Sequence, residues 1–289
     1  MLTALLLFGC SAPAETGAAV VETSDAAVVD TAEPRSDTSS DTAFAETAPA
    51  SDAAPDSAAP ADSGPAPCAL CEDFESPALP KTWTVSTPDC SGTGTIRLDT
   101  SIHHGGKQSL EVGGQGGYCN HVFLQTTAFA SLGAQKWARF FVRVDSALGA
   151  GHVTFLAMKD AADGGKNLRM GGQNGVLMYN RESDDATLPT MSPVGVAKSR
   201  ALVPGTWTCI ELHVDEPAGT LETWIDGARI EGLIEDGTKV ADVSTQWLTR
   251  TWRPSLQDLR LGWESYAGQP MVLHFDDVAL GSTRIGCGP

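Results

Sequence analysis

Trp137-Ala138-Arg139-Phe140-Phe141-Val142-Arg143-Val144 decides how this chain is read. Its even-numbered residues are all apolar, whereas Trp137, Arg139, Phe141 and Arg143 fall together on the odd-numbered face. A period of two belongs to a β-strand, whose successive side chains point to opposite sides of a sheet. One face is suited to a core; the other, with two arginines and two aromatics, is expected to be a binding surface. The same alternation recurs at 152–158, 175–180, 207–214, 256–263 and 271–280. Leu221-Glu222-Thr223-Trp224-Ile225 runs directly into Asp226-Gly227, a strong hairpin-turn signal. No amphipathic stretch of about 12 or more residues competes for helix. The expected class is all-β: two stacked antiparallel sheets forming a jelly roll.

Outward from these strands, composition marks where the folded part begins. All seven Trp, all three Tyr and 27 of the 30 Gly lie beyond residue 67, so 68–289 reads as one β domain. Residues 11–67 are a different material, built from Ala, Ser, Thr, Asp, Glu and Pro, with eleven acids against the single base Arg35. That segment carries more than half of the chain's formal charge of -17. With one aromatic and no apolar period it cannot bury enough surface to offset the entropy of ordering, and it is expected to be a disordered, extended tether. So acidic a chain lacks the Lys/Arg surface that replaces phosphate counterions, which excludes nucleic acid as a partner. No run of about 18 apolar residues is present to span a bilayer as a helix.

Ahead of the tether, residues 1–10 end in Leu7-Phe8-Gly9-Cys10, which resembles the lipobox of bacterial lipoproteins. The resemblance implies lipidation of Cys10, export, and attachment to the bacterial cell envelope, surface-facing or periplasmic, through a lipid anchor alone. Six further cysteines, Cys68, Cys71, Cys90, Cys119, Cys209 and Cys287, form an even set in an exported context and are expected to be a disulfide framework. Sequence leaves their connectivity open. If the first and last strands are neighbours, Cys287 should reach Cys68 or Cys71.

Several segments carry a wider resemblance: Cys71-Glu72-Asp73-Phe74-Glu75-Ser76, His104-Gly105-Gly106-Lys107-Gln108-Ser109-Leu110, Gly205-Thr206-Trp207-Thr208-Cys209, Leu259-Arg260-Leu261-Gly262-Trp263-Glu264 and Phe275-Asp276-Asp277-Val278-Ala279-Leu280. Together with the 138–143 strand and the Trp224-Ile225-Asp226-Gly227 turn, their order and spacing resemble the polysaccharide-lyase-like core domain of the cellulose-induced secreted protein of fungi and its bacterial relatives. The resemblance implies a concanavalin A-like jelly roll exposed to polysaccharide. It also implies a structural Ca²⁺ held by the opening acid, the backbone of the Gly-Lys-Gln-Ser turn and the closing Asp. Asp73, Glu75, Asp276 and Asp277 are the carboxylates available as hard oxygen ligands, with Glu75 and Asp276 favoured.

Sugar grooves combine flat aromatics with planar hydrogen-bonding groups. Arg139, Arg143, His152, Arg169, Gln173, Tyr179, Asn180, Trp224, Trp263 and Tyr266 form the candidate set. A lyase acting on a uronate neutralises a carboxylate, abstracts the C5 proton and protonates the leaving oxygen. Arg139 or Arg143 would serve the first need, His152 or Tyr179 the second, and Tyr266 or Tyr179 the third. This reading requires Arg139, Arg143, His152 and Tyr179 to converge in one groove. The Arg-x-Glu-x-Arg strand of lyases sharing this fold stands here with Phe141 in place of the acid, and Gln-Ile-His is absent. The laminarinase pattern Glu-x-Asp-x-x-Glu is also absent, and Glu211-Leu-His-Val-Asp215-Glu216 has the wrong spacing, which disfavours a two-carboxylate hydrolase. The competing reading is a non-catalytic adhesion or envelope protein using the jelly roll as an interaction module.

Overall fold

The structure, a computed structural model, describes residues 68–88 and 92–288. Cys10, the 11–67 segment and Cys90 lie outside the described residues, as does the Cys119 side chain. Among the described residues, fifteen strands follow in chain order. They begin with β1 (Leu70–Glu72), β2 (Thr84–Ser86), β3 (Thr95–Asp99), β4 (Ser109–Gly114) and β5 (Val122–Thr126). The long strands β6 (Gln135–Val144), β7 (Val153–Asp160), β8 (Lys166–Gln173) and β9 (Val176–Arg181) come next, then β10 (Ala186–Leu188). The chain closes with β11 (Thr208–Asp215), β12 (Thr220–Ile225), β13 (Ala228–Arg229), β14 (Leu259–Ser265) and β15 (Met271–Gly281).

These strands form two antiparallel sheets. One has the order β13-β12-β11-β6-β15-β4-β3, with β1 also paired to β15; the other has the order β10-β9-β8-β7-β14-β5-β2. Burial along β6 alternates over its whole length, with Ala138, Phe140, Val142 and Val144 fully buried between the sheets. Phe140 meets Phe155 of the other sheet edge-on at 6.5 Å and Phe275 of its own sheet at 6.0 Å. Burying each such side chain contributes roughly 1.5–3 kcal/mol relative to leaving it in water. The period-two runs all appear as strands, as expected.

The Asp226-Gly227 turn is as expected too. Trp224 pairs with Arg229 and Ile225 with Ala228, which leaves Asp226 and Gly227 at φ 50° and 79°. A two-residue loop with both central residues at positive φ matches the right-handed twist of the flanking strands.

Two local expectations are corrected. The opening strand ends at Glu72, so Asp73 and Glu75 do not alternate along it. They sit in the following turn, where Phe74 at φ 55° drives its ring fully into the core. Although β1 and β15 are neighbours, through Leu70↔Leu280, Cys287 does not reach Cys68 or Cys71. It is bonded to Cys209 on β11, and Cys68 is bonded to Cys71. The reason is a buried carboxylate: Glu211 accepts from the backbone amides of Ile285 (2.9 Å) and Gly286 (2.7 Å) and from Arg284 Nε (3.2 Å), drawing the last residues toward β11. Just ahead of the Trp137–Val144 stretch, Lys136 stands on the inward face of β6. It is only 2 % exposed, and its ammonium donates to the carbonyls of Phe129 and Ala130 at 3.0 and 3.2 Å.

Candidate functional site

The outward face of the second sheet holds an open hollow of about 420 Å³ lined by His152, Arg169, Gln173, Asn180, Asp185, Thr187, Met191 and Tyr266. Strand geometry explains the gathering. Arg169 and Gln173 lie four residues apart on β8 and so share a face. Asn180 on β9 is the register partner of Arg169, and Thr187 on β10 is the partner of Asn180. His152 precedes β7 and Tyr266 follows β14; the Tyr266 amide donates to the His152 carbonyl at 3.0 Å, closing one end of the hollow.

At that end the rings of His152 and Tyr266 stack at 5.2 Å with an interplanar angle of 11°. The Arg169 guanidinium lies 5.3 Å from the Tyr266 ring centre, and Tyr118 packs against Tyr266 from the other side at 5.3 Å. Arg169 pairs with Glu182 at 3.3 Å, while its buried Nε has no partner among the described residues. Tyr266 and Met191, both lining the hollow, keep 44 % and 47 % of their surface exposed.

The electrostatics of the pair are complementary. Burial, reinforced by the Arg169 charge, lowers the His152 pKa to about 4, so the imidazole is neutral over most of the pH range and able to accept a proton. Burial and the neighbouring Glu264 carboxylate push the Tyr266 phenol well above its ordinary value, which keeps its proton in place for donation. A neutral base and a protonated phenol therefore stand beside an arginine.

Five of the residues expected from sequence, His152, Arg169, Gln173, Asn180 and Tyr266, are thus brought together. The remaining five are not: Arg139, Arg143, His152 and Tyr179 scatter, so the lyase reading built on those four is dropped. Arg139 and Arg143 lie on the outward face of the first sheet, on the opposite side of the sandwich from the hollow. There Arg143 donates to the Gly205 carbonyl at 3.0 Å, and Arg139 lies 5.5 Å from the Phe141 ring centre. Tyr179 faces the core, fully buried, and its hydroxyl is 2.8 Å from Thr223 Oγ1 of the other sheet. Trp263 is also fully buried, its Nε1 donating to the Gln269 carbonyl at 3.3 Å. Trp224 belongs to a cross-strand stack with Trp137 on the first sheet, capped by Arg284 at 4.6 Å. Its ring faces are taken by neighbours, so it offers no platform to a sugar.

Sequence reasoning missed Asp185, Thr187, Met191 and Tyr118. Thr187 and Met191 flank a cis Leu188–Pro189 bond, and none of the four lies in a strand with a legible alternation. Glu211, the nearest approach to a hydrolase acid, is fully buried and occupied by the C-terminal amides.

The four acids considered for calcium flank the 104–108 turn from two sides. Glu75 Oε1 accepts from the Lys107 and Gln108 amides at 2.8 and 3.0 Å, and Asp276 Oδ2 accepts from the His104 and Gly105 amides at 2.8 and 3.2 Å. Asp277 meets His104 Nδ1 at 2.6 Å, and Asp73 accepts from the Glu75 amide. Burial raises the Asp276 pKa to about 6, with Asp277 adding repulsion. Glu75 and Asp276, which bracket the turn, offer hard oxygens of the kind calcium takes. Among the described residues, a group of three with ligand atoms within 4.8 Å of one another is Asp99, Glu111 and His274.

Comparison with known proteins places the chain in a family. No curated protein matches the chain. A solved structure of a "Cellulose induced protein, Cip1" is 42 % identical, with a TM-score of 0.72, over 76 % of this chain and 100 % of that one. An endo-β-1,4-glucuronan lyase from the fungus Trichoderma reesei shares the fold at 15 % identity and a TM-score of 0.51, over 75 % of this chain and 96 % of that one. The profile of the polysaccharide-lyase-like family described as the Cip1-like core domain matches residues 73–283. The chain belongs to the Cip1-like core-domain family of polysaccharide-lyase-like proteins.

Proposed function

We propose that the hollow on the second sheet binds a polysaccharide and cleaves it by β-elimination at a uronate residue. The observation that carries the reading is the stack of neutral His152 on protonated Tyr266 beside Arg169. Arg169, rather than Arg139 or Arg143, neutralises the sugar carboxylate and so acidifies C5–H. His152 accepts that proton, the C4–O bond breaks as the C4=C5 double bond forms, and Tyr266 protonates the departing oxygen. Gln173 and Asn180, which line the same hollow, would orient the ring by hydrogen bonds.

The test pairs binding with ultraviolet detection of the unsaturated uronate product on a panel of acidic and neutral polysaccharides. Arg169→Ala is expected to abolish turnover and weaken binding at least tenfold, whereas Arg139→Ala leaves both unchanged. Binding without product in the wild type would leave a carbohydrate-binding module. No binding to any polysaccharide would favour the adhesion reading.

Two further parts belong to the proposal. Calcium at Glu75 and Asp276 would be structural, far from the proton transfers; added calcium should raise the melting temperature of the wild type but not of Glu75→Ala. Lipidation of Cys10 would hold the domain at the cell envelope, with 11–67 as spacer; metabolic labelling with a fatty-acid analogue should mark the wild type and not Cys10→Ser.

A further inference from the structure

One row of residues crosses all seven strands of the second sheet. Thr187, Asn180, Arg169, Ala157, Arg260, Gln125 and Thr84 are successive register partners from β10 to β2. Residues directly opposite on neighbouring strands project from the same face, so this row forms a continuous track running perpendicular to the strands. At its middle stands Ala157, whose methyl leaves the floor low between two arginines. Neighbouring strands lie about 4.8 Å apart, so Arg169 and Arg260 are about 10 Å from each other across the sheet.

Beside Arg260 the face opens into a second hollow, of about 290 Å³, lined by Lys159, Lys166, Asn167, Glu182 and Arg260 together with Pro88 and the Gly164-Gly165 turn. Three cations face one carboxylate there, although residues 68–289 are acidic overall. The four charged groups differ in how far they are already satisfied. Glu182 is held by Arg169, by Lys166 and by the amide and side chain of Asn167. Arg260 donates twice to Asp258 and once to Asn167. The Lys159 ammonium, exposed and directly across from Asn167 in register, has no hydrogen bond or ion pair among the described residues. Glu182 touches Arg169 of the first hollow and Lys166 of the second, so the two are contiguous.

We propose that this second hollow is a distal subsite for an acidic sugar of the same polysaccharide chain, with Lys159 as the principal carboxylate contact and Lys166 and Asn167 supporting it. The inference rests on the polysaccharide reading of the first hollow and deepens it: the ligand is a polyuronate long enough to carry carboxylates to both places at once. Short fragments fill the first hollow alone, whereas longer ones gain a second charge-assisted contact.

Calorimetric binding of glucuronate dimer, glucuronate hexamer and neutral cellohexaose to the wild-type chain and to Lys159→Ala separates the outcomes. The wild type is expected to bind the hexamer at least about tenfold more tightly than the dimer. Lys159→Ala should remove most of that difference while leaving the dimer and the melting temperature unmoved, since the side chain is exposed. A Lys159→Arg variant should keep the hexamer gain. Equal hexamer affinity in the wild type and in Lys159→Ala overturns the second subsite and leaves the first hollow standing. Absence of binding by either glucuronate oligomer to the wild type overturns both.

Discussion

His152 and Tyr266 are held ring to ring, and the shifts fix the protonation state each proposed role starts from, a neutral imidazole and a protonated phenol, while making them a weaker base and a weaker acid than the free groups. The histidine is in its basic form above a pKa of about 4 and loses that form as pH falls through it. The acid limb of turnover is therefore expected near pH 4 rather than near 6.5, which a pH–rate profile of the wild type checks. Arg169→Gln, which removes the neighbouring positive charge, should raise the His152 pKa, followed by NMR titration of the imidazole without need of turnover. The same shift bears on stability. Between pH 6.5 and about 4 the unfolded chain binds a proton that the folded chain does not, so the contribution of His152 to stability falls as pH drops across that window. His152→Gln should flatten that part of a pH–stability curve measured in urea. For Tyr266→Phe, which keeps the stacking ring and deletes the donor, turnover should fall at least about a hundredfold with ligand affinity changed little. Equal losses in both would place Tyr266 among the binding groups instead.

At the scale of elements, β6 and β8 show what alternation reveals and what it hides. The pattern of β6 was legible, and it sorted Phe140 and Val142 inward and Arg139 and Arg143 outward as observed. Alternation cannot say which sheet a strand joins, and here β6 joins the sheet that turns its outer face away from the hollow. β8, which carries Arg169 and Gln173, was not legible as a strand. Gly171-Gly172 breaks its apolar rhythm, and five consecutive positions, Leu168 to Gly172, are buried, so no alternation of exposed and buried residues marks the strand. Tyr179 and Asn180 illustrate the same point within one strand: a shift of one residue exchanges core for groove, and only inter-sheet packing fixes the choice. The β12–β13 turn was readable because its backbone requirement is local. Gly227, at φ 79° with nothing near its would-be Cβ, should lose about 1–2 kcal/mol on Gly227→Ala through backbone strain alone, seen as a lower urea midpoint at unchanged slope.

Over the whole molecule, two sheets bury one core, and the last residues are pulled across the first sheet by Glu211 and fixed by the Cys209–Cys287 bond. That bond closes a separation of 78 residues. Replacing both cysteines by serine should cost about 2–5 kcal/mol, measured as a lowered melting temperature, with affinity at the second sheet unaffected because the bond lies on the first. By itself the sequence determined the fold class and the kinds of side chain available for sugar chemistry. Periodicity, composition and turn chemistry are properties of neighbouring residues along the chain. Which arginine stands beside the His152–Tyr266 pair, which aromatics are core, and where Cys287 goes were decided only by tertiary structure. Each depends on how sheets stack and how distant strands register, and those are contacts between residues that the sequence holds far apart.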